Sequence, residues 1–368
     1  MSRLQQVLAV LAAGLSAAGL AFAVAAGSAV QQPAIALFLA LGALSGLRFR
    51  FAWSLWLDGA LALFGAAALV LALPLAATPA PPAYWLALAA AWVLVWLFVE
   101  RLTRAMRRGD LSGRVFDLLI PLLFGAAILV VWEAVTRAGG VPAVLLPPPS
   151  MIWARILGSV PLLAADFAQT FLKAVLAGYA LGCGTGFLVA IAIDRSPFLK
   201  RGLLPLGSFV SALPIIGVAP IMVMWFGFDW QSKAAVVVVM TFFPMLVNTV
   251  AGLNVAGAME RDMMRTYAAS YWQTLFKLRL PAAAPFIFNG LKINSTLALI
   301  GAIVAEFFGT PIVGMGFRIS TEVGRMNVDM VWAEIAVAAL AGSLFYGVVV
   351  LIERAVTFWH PSVRSGRA

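Results

Sequence analysis

In 368 residues the sequence has a single cysteine, Cys183, and a single histidine, His360. One cysteine closes no disulfide within a chain and builds no thiolate metal site. One histidine beside the C-terminal tail is poor material for imidazole acid–base chemistry, which needs clustered titratable groups. Charge is scarce as well, at 11% of residues, against about 25% in soluble domains. No glycine is followed by lysine, so the chain holds no phosphate-binding loop of the G-x-x-x-x-G-K-[ST] type. Any work done with ATP must then come from another polypeptide.

What is present is apolar. Hydrophobic residues make up 63% of the chain and the mean hydropathy is +1.00, so lipid is its main solvent. A spanning helix takes about 20 mainly apolar residues. Such runs fall at 7–26, 33–47, 59–77, 83–99, 117–136, 167–193, 202–226, 234–253, 284–306 and 331–352. The first lacks the basic flank of a secretory leader and is read as a retained helix. The second is short and either crosses or re-enters. The fold class expected is an all-α integral membrane protein of about ten transmembrane helices. The net charge of +10 is spread over short loops, which points away from nucleic acid and towards membrane orientation. With the N-terminus in the cytoplasm, 18 cations fall on the inner side and 5 on the outer. That asymmetry places both termini inside.

The chain divides at the basic stretch 100–116. Residues 1–99 form an accessory bundle of about four helices, 117–360 the working part, and 361–368 a tail. The segment Glu260–Ile293 (ERDMMRTYAASYWQTLFKLRLPAAAPFIFNGLKI) is the most informative. Its first part is too polar to span. Its second places Trp272, Leu275 and Phe276 at helical spacing beside Lys277 and Arg279, as an interfacial helix would. Pro281 and Pro285 are expected to break the run before the chain re-enters the bilayer at Phe286.

This segment resembles the coupling loop of ABC importer permeases, E-A-A, three residues, Gly, then twelve residues to a proline. Asp262-Met263-Met264 stands at E-A-A, Ala268 at the glycine and Leu280-Pro281 at the close. Three positions depart: Asp for Glu, paired Met for paired Ala, Ala for Gly. Ala is a mild replacement unless the backbone needs a positive φ. Further stretches, Leu146–Ser150 with Met151-Ile152-Trp153, Gln169–Gly186, Ala212–Gly252 and Val304–Gly316, look like the nitrate, sulfonate, taurine and bicarbonate permease branch. The likeness runs from Asp117 to His360 and leaves the first hundred residues outside it.

The resemblance implies a type I importer-like six-helix core and a coupling loop at 259–283. It also implies two copies of the chain around one pathway, two cytoplasmic ATPase subunits that hold the ATP and Mg, and a periplasmic or lipid-anchored binding protein. The setting is a bacterial inner membrane; the chain is no enzyme and holds no cofactor or metal itself. Coupling residues would be Glu260, Asp262 and Arg265, which set register, and Met263, Met264, Tyr267, Ala268 and Ala269, which supply the contact and the turn. Polar groups within spans are expensive and face a cavity or a partner, which makes Gln169, Thr170, Lys173, Ser208, Ser211, Thr241, Asn248, Asn294, Ser295, Thr296 and Glu306 the pathway candidates. Glu306 is either interfacial or gating; Lys173 attracts an anion or snorkels. The solute remains open among sulfonates, nitrate, taurine, bicarbonate, aromatic carboxylates and vitamin precursors. An ion-gradient transporter is the rival reading, and it needs inverted repeats that this sequence does not display.

Overall fold

In the computed structural model the described residues are 2–49, 54–73, 80–111, 113–196, 198–199, 201–203, 205, 214–309 and 312–359. They are helical almost throughout, and no described residue lies in a strand. Ser208, Ser211 and His360 lie outside them. Among the described residues eight helices are long and apolar enough to cross a membrane. The segments at 33–47 and 202–226 are not among these eight. α2 (Pro33–Leu44) gives way to a 3₁₀ turn, and only Ile215–Phe226 of the other is a described helix, too short to cross alone.

The residues fall into two compact units, Met1–Ala154 and Arg155–Ala368. The first holds α1 (Arg3–Ala25), α2, α3 (Leu55–Ala72), α4 (Pro82–Arg108) and α5 (Arg114–Ala138). α1 opens on a Ser2–Gln5 capping box, which satisfies two of the amides that a helix start orphans. α4 runs on through the first half of the basic stretch. Arg and Glu are good helix formers, Glu100 and Arg104 pair one turn apart at 3.5 Å, and Gly109 at φ +81° ends the helix. Ile35, Phe38, Leu39, Leu69, Tyr84 and Leu94 form the core. Phe38 lies so close over Gly65 that a Cβ there would come within 2.5 Å of the ring. The fully buried Asp58 binds Arg48 at 2.8 Å and also pairs with Arg101. Isolated carboxylates do not survive in such an interior. α5 packs on α3 and α4 along one face only.

α6 (Pro149–Gly158) follows, and its start is held by Glu133 of α5. The Ser150 amide and hydroxyl donate to that carboxylate at 2.9 and 2.6 Å. The second unit contains α7 (Val160–Phe167), α8 (Leu176–Arg195), α9 (Ile215–Phe226), α10 (Trp230–Leu253), α11 (Ala258–Thr266), α12 (Leu280–Glu306), α13 (Met315–Gly324) and α14 (Val328–Val356). α7 and α8 are one continuous run joined by a π-helical stretch, Ala168–Val175. α10 is central, packed on both α8 and α12, with α14 against α12. Gly178, Gly182 and Gly186 present one face of α8 to α10. A Cβ at Gly178 would sit 2.7 Å from the Ala234 carbonyl, and one at Gly186 2.5 Å from that of Phe242. Small residues four apart let two membrane helices approach this closely.

The expectation that Pro281 and Pro285 break the helix is not met. Tyr271–Glu306 is one continuous 36-residue helical run. Leu275–Arg279 is π-helical, and the Leu280 amide donates to the Leu275 carbonyl five residues back. The wider turn accommodates the missing Pro281 amide just where it would have stopped an α-helix. Pro285 sits within α12.

Candidate functional site

At the end of the second unit where α8 and α10 finish and α12 begins, α11 stands out as a nine-residue helix with no buried side chain. Met259, Met263 and Tyr267 are 83%, 54% and 78% exposed. Asp262 and Arg265 pair at 3.1 Å in the open, which is worth under about 1 kcal/mol but fixes which way each points. A helix whose charged and large apolar residues are, but for the half-buried Arg261 and Met264, open to the outside presents a surface for another body.

The helix ends in a two-bond lock. The Ala268 amide donates to the Arg265 carbonyl and the Ala269 amide to that of Met264, at 2.9 and 3.0 Å. These are the paired closing bonds of a Schellman cap, whose turning residue is left-handed. That residue is Ala268, at φ +50°. The position expected to hold glycine thus does require a positive φ, and alanine bears it at about 1–2 kcal/mol. Ser270 then restarts the helix with a second capping box, to Gln273.

The exposed loop is tied to the bundle at one point. Arg279 grips Asp194, at the end of α8, through Nη1 at 2.6 Å and Nη2 at 2.7 Å, and its Nε donates to the Leu253 carbonyl at the end of α10 at 3.0 Å. The Tyr271 hydroxyl donates to the same Asp194 carboxylate at 2.9 Å. Arg195 lies over the Tyr271 and Trp272 rings, 5.4 and 5.8 Å from their centroids. Beneath them, Leu275 is buried with Leu253 and Ala283. A bidentate guanidinium–carboxylate pair fixes angle as well as distance. Through Arg279 the loop is thus bonded to α8, α10 and the start of α12 at once. Hydropathy gave no sign of Asp194 and Arg279, which lie 85 residues apart; two lone charges at span ends were the one available signal.

The opposite end holds a buried polar cluster. Glu306, 2% exposed, accepts from the Thr170 hydroxyl at 2.7 Å and the Gly316 amide at 2.7 Å. Thr170 accepts from the Met315 amide at 2.8 Å, and Asp166 from the Gly314 amide at 2.6 Å and Arg318 Nε at 2.9 Å. The amides of Gly314, Met315 and Gly316 at the start of α13, which a helix leaves unbonded, are thus taken by side chains of α7, the π stretch and α12. Negative groups suit that end of a helix dipole. Glu306 is a buried tie between α12, the π stretch and α13. Beside it Gln169 donates to Asp229 at 2.8 Å and accepts from Lys173 at 3.0 Å. The Gln169 amide and the Trp230 N–H hold the Asp229 carboxyl below its ordinary range.

The remaining candidates separate by position. Thr241, Asn294 and Ser295 are fully buried: Asn294 donates to the Thr241 carbonyl at 2.7 Å and to Cys183 Sγ at 3.1 Å. Asn294 thus ties α12 to α8 and α10, whereas the Thr241 and Ser295 hydroxyls donate to carbonyls of their own helices, Val237 at 2.8 Å and Lys292 at 2.7 Å. Thr296 and Lys173 are exposed and Asn248 half-buried. Asn289, which sequence reading passed over, donates to Asn248 Oδ1 at 3.1 Å and shares the exposed face of α12 with Thr296, seven residues on. An amide on an exposed face of a spanning helix is costly in lipid. That face therefore meets water or another chain. Among the described residues no set of His, Cys, Asp or Glu is arranged to hold a metal.

Residues 182–358 match the family model described as the binding-protein-dependent transport system inner membrane component. The formylaminopyrimidine transport permease protein ThiX of Halalkalibacterium halodurans is 32% identical over 250 residues, 67% of this chain and 98% of that protein. The putative aliphatic sulfonates transport permease protein SsuC of Bacillus subtilis is 30% identical over 244 residues, 66% of this chain and 87% of its own. The riboflavin transport system permease protein RibX of Chloroflexus aurantiacus is 29% identical over 236 residues, 64% and 88%. The exposed, clamped helix and the apolar bundle that carries it are therefore those of an ABC importer permease: the chain belongs to the binding-protein-dependent family of inner-membrane permease subunits.

Proposed function

We propose that two copies of this chain form the pathway for a small solute, an organic or inorganic anion of the sulfonate or nitrate kind or a heteroaromatic vitamin precursor. The names of its relatives (sulfonates, formylaminopyrimidine, riboflavin) support that range. A binding protein outside the inner membrane delivers the solute, and both termini face the cytoplasm. Two separate ATPase subunits bind ATP and Mg, while the permease itself carries no cofactor. α11 seats in a groove of one ATPase, with Glu260, Asp262 and Arg265 at its rim and Met263, Met264 and Tyr267 in contact. When the ATPases close, α11 moves as a lever and Arg279–Asp194 passes the motion to α8 and α10. Asn248, Asn289 and Thr296 line the pathway. The supporting observation is α11, which has no buried side chain, next to a largely buried Arg279 that bonds Asp194 of α8 and the Leu253 carbonyl of α10. Co-expression with the neighbouring genes and affinity purification of the tagged chain tests the reading. A stoichiometric ATPase is expected, lost on the double charge reversal Asp262→Lys/Arg265→Glu. Solute uptake that persists without ATP would overturn it.

A further inference from the structure

Between α3, α4 and α5 the first unit leaves an apolar groove of about 390 Å³, walled by Trp56, Leu63, Ala66, Phe98, Leu123 and Ala127 among others. A narrower continuation reaches Leu69 and Leu88. From Trp56 to Leu69 the groove follows α3 for about 20 Å at the helical rise, enough to cross one leaflet of a bilayer whose hydrocarbon is about 30 Å thick. It exists because α5 leans on α3 and α4 by a single face.

The groove ends at Trp56 and Phe98, whose rings stand 6.5 Å apart. Leu55 and Arg101, within a turn of those rings on the same two helices, line a second pocket of about 200 Å³ that is polar and basic. Arg101, Arg104 and Arg108 line it from α4, with Gln5 and a single carboxylate, Asp110. Their spacing, three and then four residues, puts all three arginines on one helical face. Asp58, behind the pocket, is shared by Arg48 and Arg101. Arg104 makes only a half-exposed 3.5 Å pair with Glu100 and a 3.3 Å bond to Gln5, and Arg108 lies exposed at the end of α4. Neighbouring turns of the same helices thus offer an apolar slot and a cationic cup.

We propose that this is a site for an anionic phospholipid, with its phosphate between Arg104 and Arg108 and one acyl chain along the α3–α4–α5 groove. Basic pockets among membrane helices hold anionic headgroups, and guanidinium matches phosphate oxygens in pairs. A zwitterionic lipid fits the slot equally well, but its own ammonium cancels what the arginines recognise. An apolar helix of a second copy would fill the slot and leave the cup without its anion.

Native mass spectrometry of the full-length protein in detergent, delipidated and then titrated with phosphatidylglycerol or phosphatidylcholine of matched chains, tests this. One phosphatidylglycerol per chain is expected to remain, preferred at least ten-fold. Arg104→Gln/Arg108→Gln should lower it to the phosphatidylcholine level, while Arg104→Lys/Arg108→Lys keeps a preference. Ala66→Phe, which fills the slot, should reduce retention of both lipids. Equal retention of the two lipids by the unaltered protein, or unchanged phosphatidylglycerol binding in Ala66→Phe or in the glutamine variant, would overturn the proposal. Should the glutamine variant fail to fold, the lipid comparison and Ala66→Phe still decide.

Discussion

Ala268 carries a conformational cost that its neighbours do not. At φ +50° its methyl group costs about 1–2 kcal/mol, while glycine would lose about 0.5–1 kcal/mol through its greater freedom when the turn opens. Ala268→Gly should therefore tighten the end of α11 by about 1 kcal/mol. Hydrogen exchange at the Ala269 amide, which closes the turn, is expected to slow by roughly five-fold; unchanged or faster exchange would show that the turn is not held left-handed in solution. Asp194 poses the opposite case. Its carboxylate and the Arg279 guanidinium are each 11% exposed, and removing one partner of a largely buried pair costs about 3 kcal/mol or more because the other charge is stranded. Asp194→Asn should lower the melting temperature of the solubilised protein more than Asp194→Asn/Arg279→Gln does. Equal or additive losses would mean that the two charges act independently.

At the scale of helices, the sequence spoke clearly through hydropathy and poorly through everything that departs from α geometry. Of the ten apolar runs, eight coincide with described helices long and apolar enough to cross. Nothing in composition marked the π turns at 168–175 and 275–279, so Pro281 read as a stop when it lies in the first turn of α12. The shortness of α2 follows from its Gln32 start and the Ser45 turn, both polar signals weaker than the apolar stretch between them. The packing of α8 on α10 was present in the sequence as Gly178, Gly182 and Gly186, a spacing that hydropathy does not score. A Cβ at Gly182 would lie 2.9 Å from the Val238 carbonyl, whereas one at Gly184 meets nothing within 4 Å. Gly182→Leu should thus force the helices apart and destabilise by about 1–3 kcal/mol or more, and Gly184→Leu should be tolerated. Thermal unfolding of both variants in the same detergent makes the comparison; equal melting temperatures would mean that α8 and α10 are not so closely packed.

The whole molecule joins a permease region shared with its relatives to a further helical bundle, α1–α4. ThiX is matched over 98% of its length by only 67% of this chain, so a third of this chain has no counterpart in that permease. The family motifs made the second unit legible from sequence, because coupling demands particular residues at particular turns. The first unit answers only to lipid and to its own core, and many sequences satisfy both. That is why Asp58, Arg48 and Arg101 were invisible as a triad until the helices were placed. Its boundary also follows packing and not charge: α4 runs to Arg108, through the stretch where composition suggested a linker. A deletion of residues 1–99 would remove the whole apolar part of this helix and leave only its charged end, 100–108, without a core to pack on. Deletion of residues 1–113 removes α1–α4 entire and keeps the Glu133 bonds that fix the start of α6. The shortened chain is therefore expected to recover its ATPase partner in the same ratio as the full protein, though with a lower melting temperature because α5 loses the face it packs on. Quantitative co-purification decides it: an ATPase yield that falls with the deletion while the chain stays in the membrane would make the first unit part of the coupling apparatus.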